Sequence, residues 1–153
     1  MERLKQLMHV HDEGGQVLYQ TALGLMALLA FLGLVVDGGV MLANYRRAQL
    51  TADTAAHAAS HAVSIEVFYN TNAVVLSGAA RERANRIIEE NGTTTDGRKL
   101  LVNTQVIVGP NWVRVTGTAR LPTFFMRMFG VEEVYVPVRS IAYPAYGIDR
   151  EWQ

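Results

Sequence analysis

The 153-residue chain contains no cysteine. That excludes a disulfide framework, a thiolate nucleophile and a Cys-ligated zinc site, and leaves the compartment open. Charge is scarce too. Charged residues make up 18% of the chain, against roughly a quarter in ordinary soluble domains. The 14 Lys+Arg balance the 14 Asp+Glu. A neutral chain offers no field to hold a phosphate backbone, so nucleic acid is not an expected partner. The length allows one small domain plus an appendage and excludes a large multidomain enzyme.

The missing charge has an address. Residues 16–36 read QVLYQTALGLMALLAFLGLVV, 21 residues without a charge. At about 1.5 Å per residue this reaches roughly 31 Å, the hydrocarbon thickness of a bilayer. A core helix of so small a soluble domain is rarely apolar on every side. A membrane-type helix is therefore expected. Ahead of it stands a polar leader, residues 1–15, ending in Gly14-Gly15. A secretory signal places its cleavage site after a shorter apolar core, whereas here the small residues precede a full-length one. Basic residues flank both sides (Arg3 and Lys5, Arg46 and Arg47), so they do not set the orientation.

Beyond Asp37-Gly38-Gly39 helical patterning resumes and extends to about residue 66. Ala48, Ala52, Ala55, Ala59 and Ala62 are spaced four, three, four and three, one stripe on which another backbone can approach closely. Asp53, His57 and His61 lie on roughly the opposite face. Their i, i+4 spacing could hold a divalent metal, but no fourth ligand stands nearby and a solvated polar face is expected instead. Ser60 among them supplies no nucleophile set, because neighbours on one helix point apart and no oxyanion site accompanies them. Gly24, Gly33, Gly38 and Gly39 follow no strand and read as helix-packing or bending sites rather than a phosphate loop. Neither enzyme activity nor a cofactor is expected.

After a break at 70–72, a second helix is predicted over 73–90, stopped by Asn91-Gly92. Asn91-Gly92-Thr93 is also a glycosylation-type triplet in an expected loop. Residues 100–108 alternate, with Val102, Val106 and Val108 assigned to one face. Gly109-Pro110-Asn111 turns the chain, and 112–121 alternates again, which predicts a hairpin. A short helical turn follows Pro122 up to Gly130, then a third strand over 131–142 whose Pro137 argues for an edge position or a bulge. Trp112, Phe124, Phe125 and Phe129 are expected at the seam between sheet and rod. The tail, 143–153, reads as irregular. The fold class is α+β: a long N-terminal helix, apolar in its first half, packed on a three-stranded antiparallel sheet. The domain plan is a leader (1–15), the helix (16–66) and a small α+β domain (67–153).

Two stretches resemble the TadE/TadG-like proteins of tight-adherence (Flp-type) pilus systems, relatives of type IV pilins. Residues 15–60 carry a Gly before an apolar helix, an Asp-containing exit, the aromatic-basic Tyr45-Arg46-Arg47 and an Ala/Asp-rich helix. Residues 113–142 are similar to the family's closing strand, Pro-Thr-Phe-Phe turn, Gly and final strand. The resemblance implies a pilin-like subunit, cut between Gly15 and Gln16 by a prepilin-type peptidase. The chain would sit in the inner membrane with its C-terminal domain outside the cytoplasm, and then be moved into a surface filament for adhesion or secretion. It implies copies of the chain, other pilin-like subunits and the pilus assembly machinery as partners, with Gln20, Gly24, Gly33 and Asp37 packing in the filament core. The rival is a bitopic assembly or scaffold factor that never enters a filament.

One departure stands out. Such pilins usually carry Glu at the fifth residue after the cut, to offset a neighbour's N-terminal ammonium; here that residue is Gln20. Three readings follow: a minor or divergent subunit, a chain that is not cut, or a new N-terminal Gln16 that cyclises to neutral pyroglutamate, for which a neutral Gln20 would be the fitting partner. Asp37, where the apolar run ends, admits two readings: an ordinary residue at the membrane edge, or an intersubunit ion pair with Arg46 or Arg47.

Overall fold

A computed structural model describes residues 12–94 and 97–144. The expectations for most of the leader (1–11, including His9 and His11) and for the tail from 145 lie outside them. Helix α1 (Asp12–Ser60) is one unbroken rod of 49 residues, roughly 74 Å long at the standard rise. It ends six residues earlier than the expected 66. There the hydroxyl of Ser60, itself buried, donates to the carbonyl of His57 at 2.8 Å. Gly38 and Gly39 do not interrupt the helix.

Residues 61–78 make a small excursion instead of continuing either helix. Ser64 N donates to Val75 O at 2.8 Å and Ser77 N to Ala62 O at 2.7 Å, pairing the two legs around the short helix α2 (Ile65–Thr71). Helix α3 (Ala79–Asn91) thus begins six residues later than its periodicity predicts, because residues 73–78 are taken by these tertiary hydrogen bonds. Sequence periodicity has no access to such bonds.

The sheet is an antiparallel meander in the order β1 (Leu101–Val108), β2 (Val113–Pro122), β3 (Glu133–Ala142). Val113, Val115, Ala119 and Leu121 alternate inward along central β2, as a half-buried strand should. Pro137 sits on edge strand β3, where a missing N–H is tolerated. One face assignment is corrected. Asn103 has φ 52, and the register between β1 and β2 shifts between Val102 and Gln105. This bulge reverses the parity of the strand. Leu101, Val106 and Val108 lie opposite the inward Ala119, Val115 and Val113, whereas Val102 faces Thr118 on the outer side.

The second half of α1 crosses β2 and β3, and α3 lies beside it. Ala48, Ala52, Ala55, Ala56 and Ala59 are fully buried against Ala80 and Ala84 of α3 and the inward valines of the sheet. Ala62 is buried as well, but beyond the helix end. Side chains of one carbon let the backbones meet at close range. The seam therefore has no room for growth: Ala55→Leu is expected to cost about 1–3 kcal/mol by overpacking, read by denaturant unfolding in detergent.

Across β2 and β3, the Arg120 guanidinium forks onto both carboxylate oxygens of Glu133, with Nε 2.7 Å from Oε2, and the Tyr135 hydroxyl donates to Oε2 at 2.7 Å. These donors, Arg120 first, hold the Glu133 carboxyl down at about 2 against an ordinary 4.5. A depressed acid stabilises the fold above its unfolded pKa and loses that contribution as pH falls through its folded one. Between pH 4.5 and about 2, thermal melts of the wild type should lose stability that Glu133→Gln, lower at neutral pH, no longer has to lose.

Candidate functional site at the exit of the apolar helix

The first half of α1 is bare. From Val17 to Val36 its large apolar side chains are exposed, Gln20 is exposed with them, and a side chain at Gly24 would meet open space. Gly15 and Gln16, the expected processing site, are exposed and lie inside the helix. Among the described residues one helix is long and apolar enough to cross a membrane, and it is this one.

Burial begins at Gly33 and Asp37, one turn apart and therefore on the same helix face. Asp37 is 1% exposed. One of its oxygens accepts the backbone N–H of Phe124 at 2.8 Å and of Phe125 at 3.0 Å; the other accepts that of Met126 at 2.6 Å. These three amides open a tight helical turn, Met126–Phe129, and have no partner of their own within it. A carboxylate is the strongest acceptor available to such a cluster.

Gly33 makes the approach possible. A Cβ there would stand 2.7 Å from Cγ and Cδ1 of Phe125, closer than carbon atoms can come. The loop itself is closed at its base. Thr123 N donates to Glu132 O at 3.0 Å, and the Thr123 hydroxyl donates to the carbonyls of Glu132, at 3.1 Å, and of Val131. Gly130, at φ 85, supplies the left-handed residue that ends the turn. The loop that follows the central strand is thus pinned to the helix at the end of its uncharged run.

Neither sequence-based reading of Asp37 anticipated this bonding within one chain. Both carboxylate oxygens accept hydrogen bonds from the loop. Arg47 donates to the carbonyl of Thr93 at 3.2 Å. The aromatic seam is also corrected. Phe124 and Phe129 are largely exposed, Phe125 alone meets the helix, and Trp112 packs in the β1–β2 turn with the Arg114 guanidinium 4.9 Å above its ring. The interface is made of alanine from the helices facing valine and leucine of the sheet, with Met41 and Tyr45 packed against it.

Asp53, His57 and His61 do not converge. Asp53 accepts from Gln49 Nε2 at 3.1 Å, His57 is exposed, and His61 lies past the end of the helix. No group of three such side chains comes together among the described residues. Asn91 closes α3, its side chain donating to Ile87 O at 3.2 Å. Sequence reasoning missed the bond between Asp37 and residues 124–126. Its one available signal was a Gly and an Asp four apart on an apolar helix, facing a Pro-Thr-Phe-Phe turn with amides to spare.

An α+β domain hung on one bare apolar helix, and clasped to it where the apolar run stops, is an architecture that fits membrane anchoring. The family model described as Flp pilus-assembly TadE/G-like matches residues 15–64, and that described as Tad-like Flp pilus-assembly matches residues 43–142, about two thirds of the chain. The chain belongs to the Tad-like Flp pilus-assembly family, as its sequence suggested. The two matches overlap on the alanine seam. No curated protein and no solved structure matches the chain. Family membership gives the chain a role in Flp/Tad pilus assembly, in association with components of that assembly. It fits a membrane-anchored protein of a surface pilus.

Removing the acceptor should free the loop while leaving the seam in place. Amide hydrogen exchange at Phe124, Phe125 and Met126 is expected to accelerate in Asp37→Ala by roughly tenfold or more. Asp37→Asn, which keeps one carbonyl oxygen, should fall between that variant and the wild type.

Proposed function

We propose that the chain is a structural, pilin-like subunit of a tight-adherence filament. The observation that supports this most is the bare half of α1. Twenty-one uncharged residues lie in a helix that its own domain leaves uncovered up to Gly33. Such a surface is satisfied by lipid, and equally by a bundle of identical helices, so one segment serves storage in the membrane and assembly in a filament. In this reading a prepilin-type peptidase cuts between Gly15 and Gln16 from the cytoplasmic side of the inner membrane. The domain lies outside, and copies of the chain or other pilin-like subunits then pack through Gln20, Gly24 and their neighbours. Near-neutral charge suits stacking many copies.

The subunit is not an enzyme in this proposal. In support, the Ser60 hydroxyl is spent on the His57 carbonyl, and no group of three His, Asp or Glu side chains comes together among the described residues. A neutral, exposed Gln20 favours the rival assembly factor, since it offers a neighbour's terminal ammonium no counter-charge.

The two readings differ at the N-terminus and in where the protein goes. A filament subunit should appear in sheared surface material beginning at Gln16, and Gly15→Arg should abolish both the cut and the surface display. An anchor that stays in the membrane fraction with residues 1–15 still attached would refute the subunit. If Gln16 has cyclised, the mature mass will be lower by one ammonia than that of the free amine.

A further inference from the structure

The loop clasped by Asp37 carries three large apolar side chains that its own fold leaves in the open. Phe124 is 75% exposed, Met128 83% and Phe129 82%. A cluster this apolar on a surface loop marks a contact with something outside the chain. Its height is set by the geometry already described. The Phe125 ring stands against Gly33, inside the uncharged run, and the Phe124 ring packs edge-on to Phe125 with centroids 5.2 Å apart. Gly33 lies about 6 Å of helix below Asp37. A bilayer that holds residues 16–36 therefore reaches the level of this loop.

We propose that residues 123–131 form a second membrane contact, in which Phe124, Met128 and Phe129 enter the lipid interface beside the helix. The proposal rests on residues 16–36 lying in a bilayer. Lipid is the occupant because the cluster continues the bare apolar surface of α1 at the same depth. The charges on the loop suit that depth. Arg127 and Glu132 are exposed, 3.9 Å apart, and flank the apolar side chains as head-group-level residues do. Order suits it as well: a loop closed at Thr123, capped at Gly130 and held by three amides presents its side chains at one height. It also keeps the Asp37 carboxylate out of hydrocarbon, since the amides that satisfy it come with the apolar cover.

The lack of native cysteine makes the test direct. Leu29→Cys, Phe129→Cys and Asn111→Cys each carry a single environment-sensitive fluorophore on the full chain. Asn111 lies at the other end of β2, roughly 33 Å of strand away. The labelled proteins are reconstituted at low density in phosphatidylethanolamine/phosphatidylglycerol vesicles, with lipids brominated either near the head or at the middle of the acyl chain. Bromine should dim the label at 29 from the middle position and the label at 129 from near the head, each by at least about twofold, and spare the one at 111. A label at 129 that stays bright and open to iodide while 29 is dimmed overturns the loop contact and leaves the membrane helix standing. A label at 129 shielded from both bromine and iodide puts a second copy of the chain there, and also overturns the proposal. Bright labels at both 29 and 129 remove the membrane reading and the proposal with it.

Discussion

A carboxylate placed where an apolar helix leaves hydrocarbon must find either water or a set of donors, because an unsatisfied buried charge is too costly to keep. In this chain Asp37 finds three backbone amides, and the rest of the architecture is arranged around that exchange. The donors must come from a turn, since only the start of a helical turn offers successive N–H groups without partners. The turn must reach the helix, so the position one turn away must be without a side chain, and Gly33 is. The turn must also be carried at the end of the central strand, which places the sheet alongside the second half of the rod.

The alanine seam and the clasp divide the work between them. The seam buries area without polar specificity: Ala48, Ala52, Ala55 and Ala59 allow close approach and leave the axial position of the helix weakly defined. Three directed hydrogen bonds supply what packing alone does not, a single register between rod and sheet. Overlap of the two family matches on the seam, with the clasp split between them, fits this division.

Much of this was legible in the sequence because it depends on local periodicity. Twenty-one uncharged residues, an alanine stripe spaced four and three, and two alternating runs across Gly109-Pro110-Asn111 each carry their own signal. The errors fall where tertiary bonds override the pattern. Residues 73–78 look helical but pair with residues 62–64. A left-handed Asn103 reverses the faces of β1, and no composition rule places a bulge there. Trp112, Phe124 and Phe129 were expected at the seam, yet it is alanines of the rod that meet the valines and leucines of the sheet there. Asp37 stood out in the sequence where the apolar run ends, but its partners within the chain are backbone atoms, which carry no residue-type signature at all.

Clasp and seam also have a mechanical meaning. A domain tied to a helix at one point can swivel about it; one tied at two points cannot. Asp37 and Ala48 are eleven residues apart, roughly 17 Å along the axis, so the pair acts as a lever arm with no hinge in it. Any tilt or rotation of the apolar helix is passed to the sheet undiminished, and a pull along the helix is shared by the three hydrogen bonds and the seam. Wherever the helix is set, the sheet's direction is set with it.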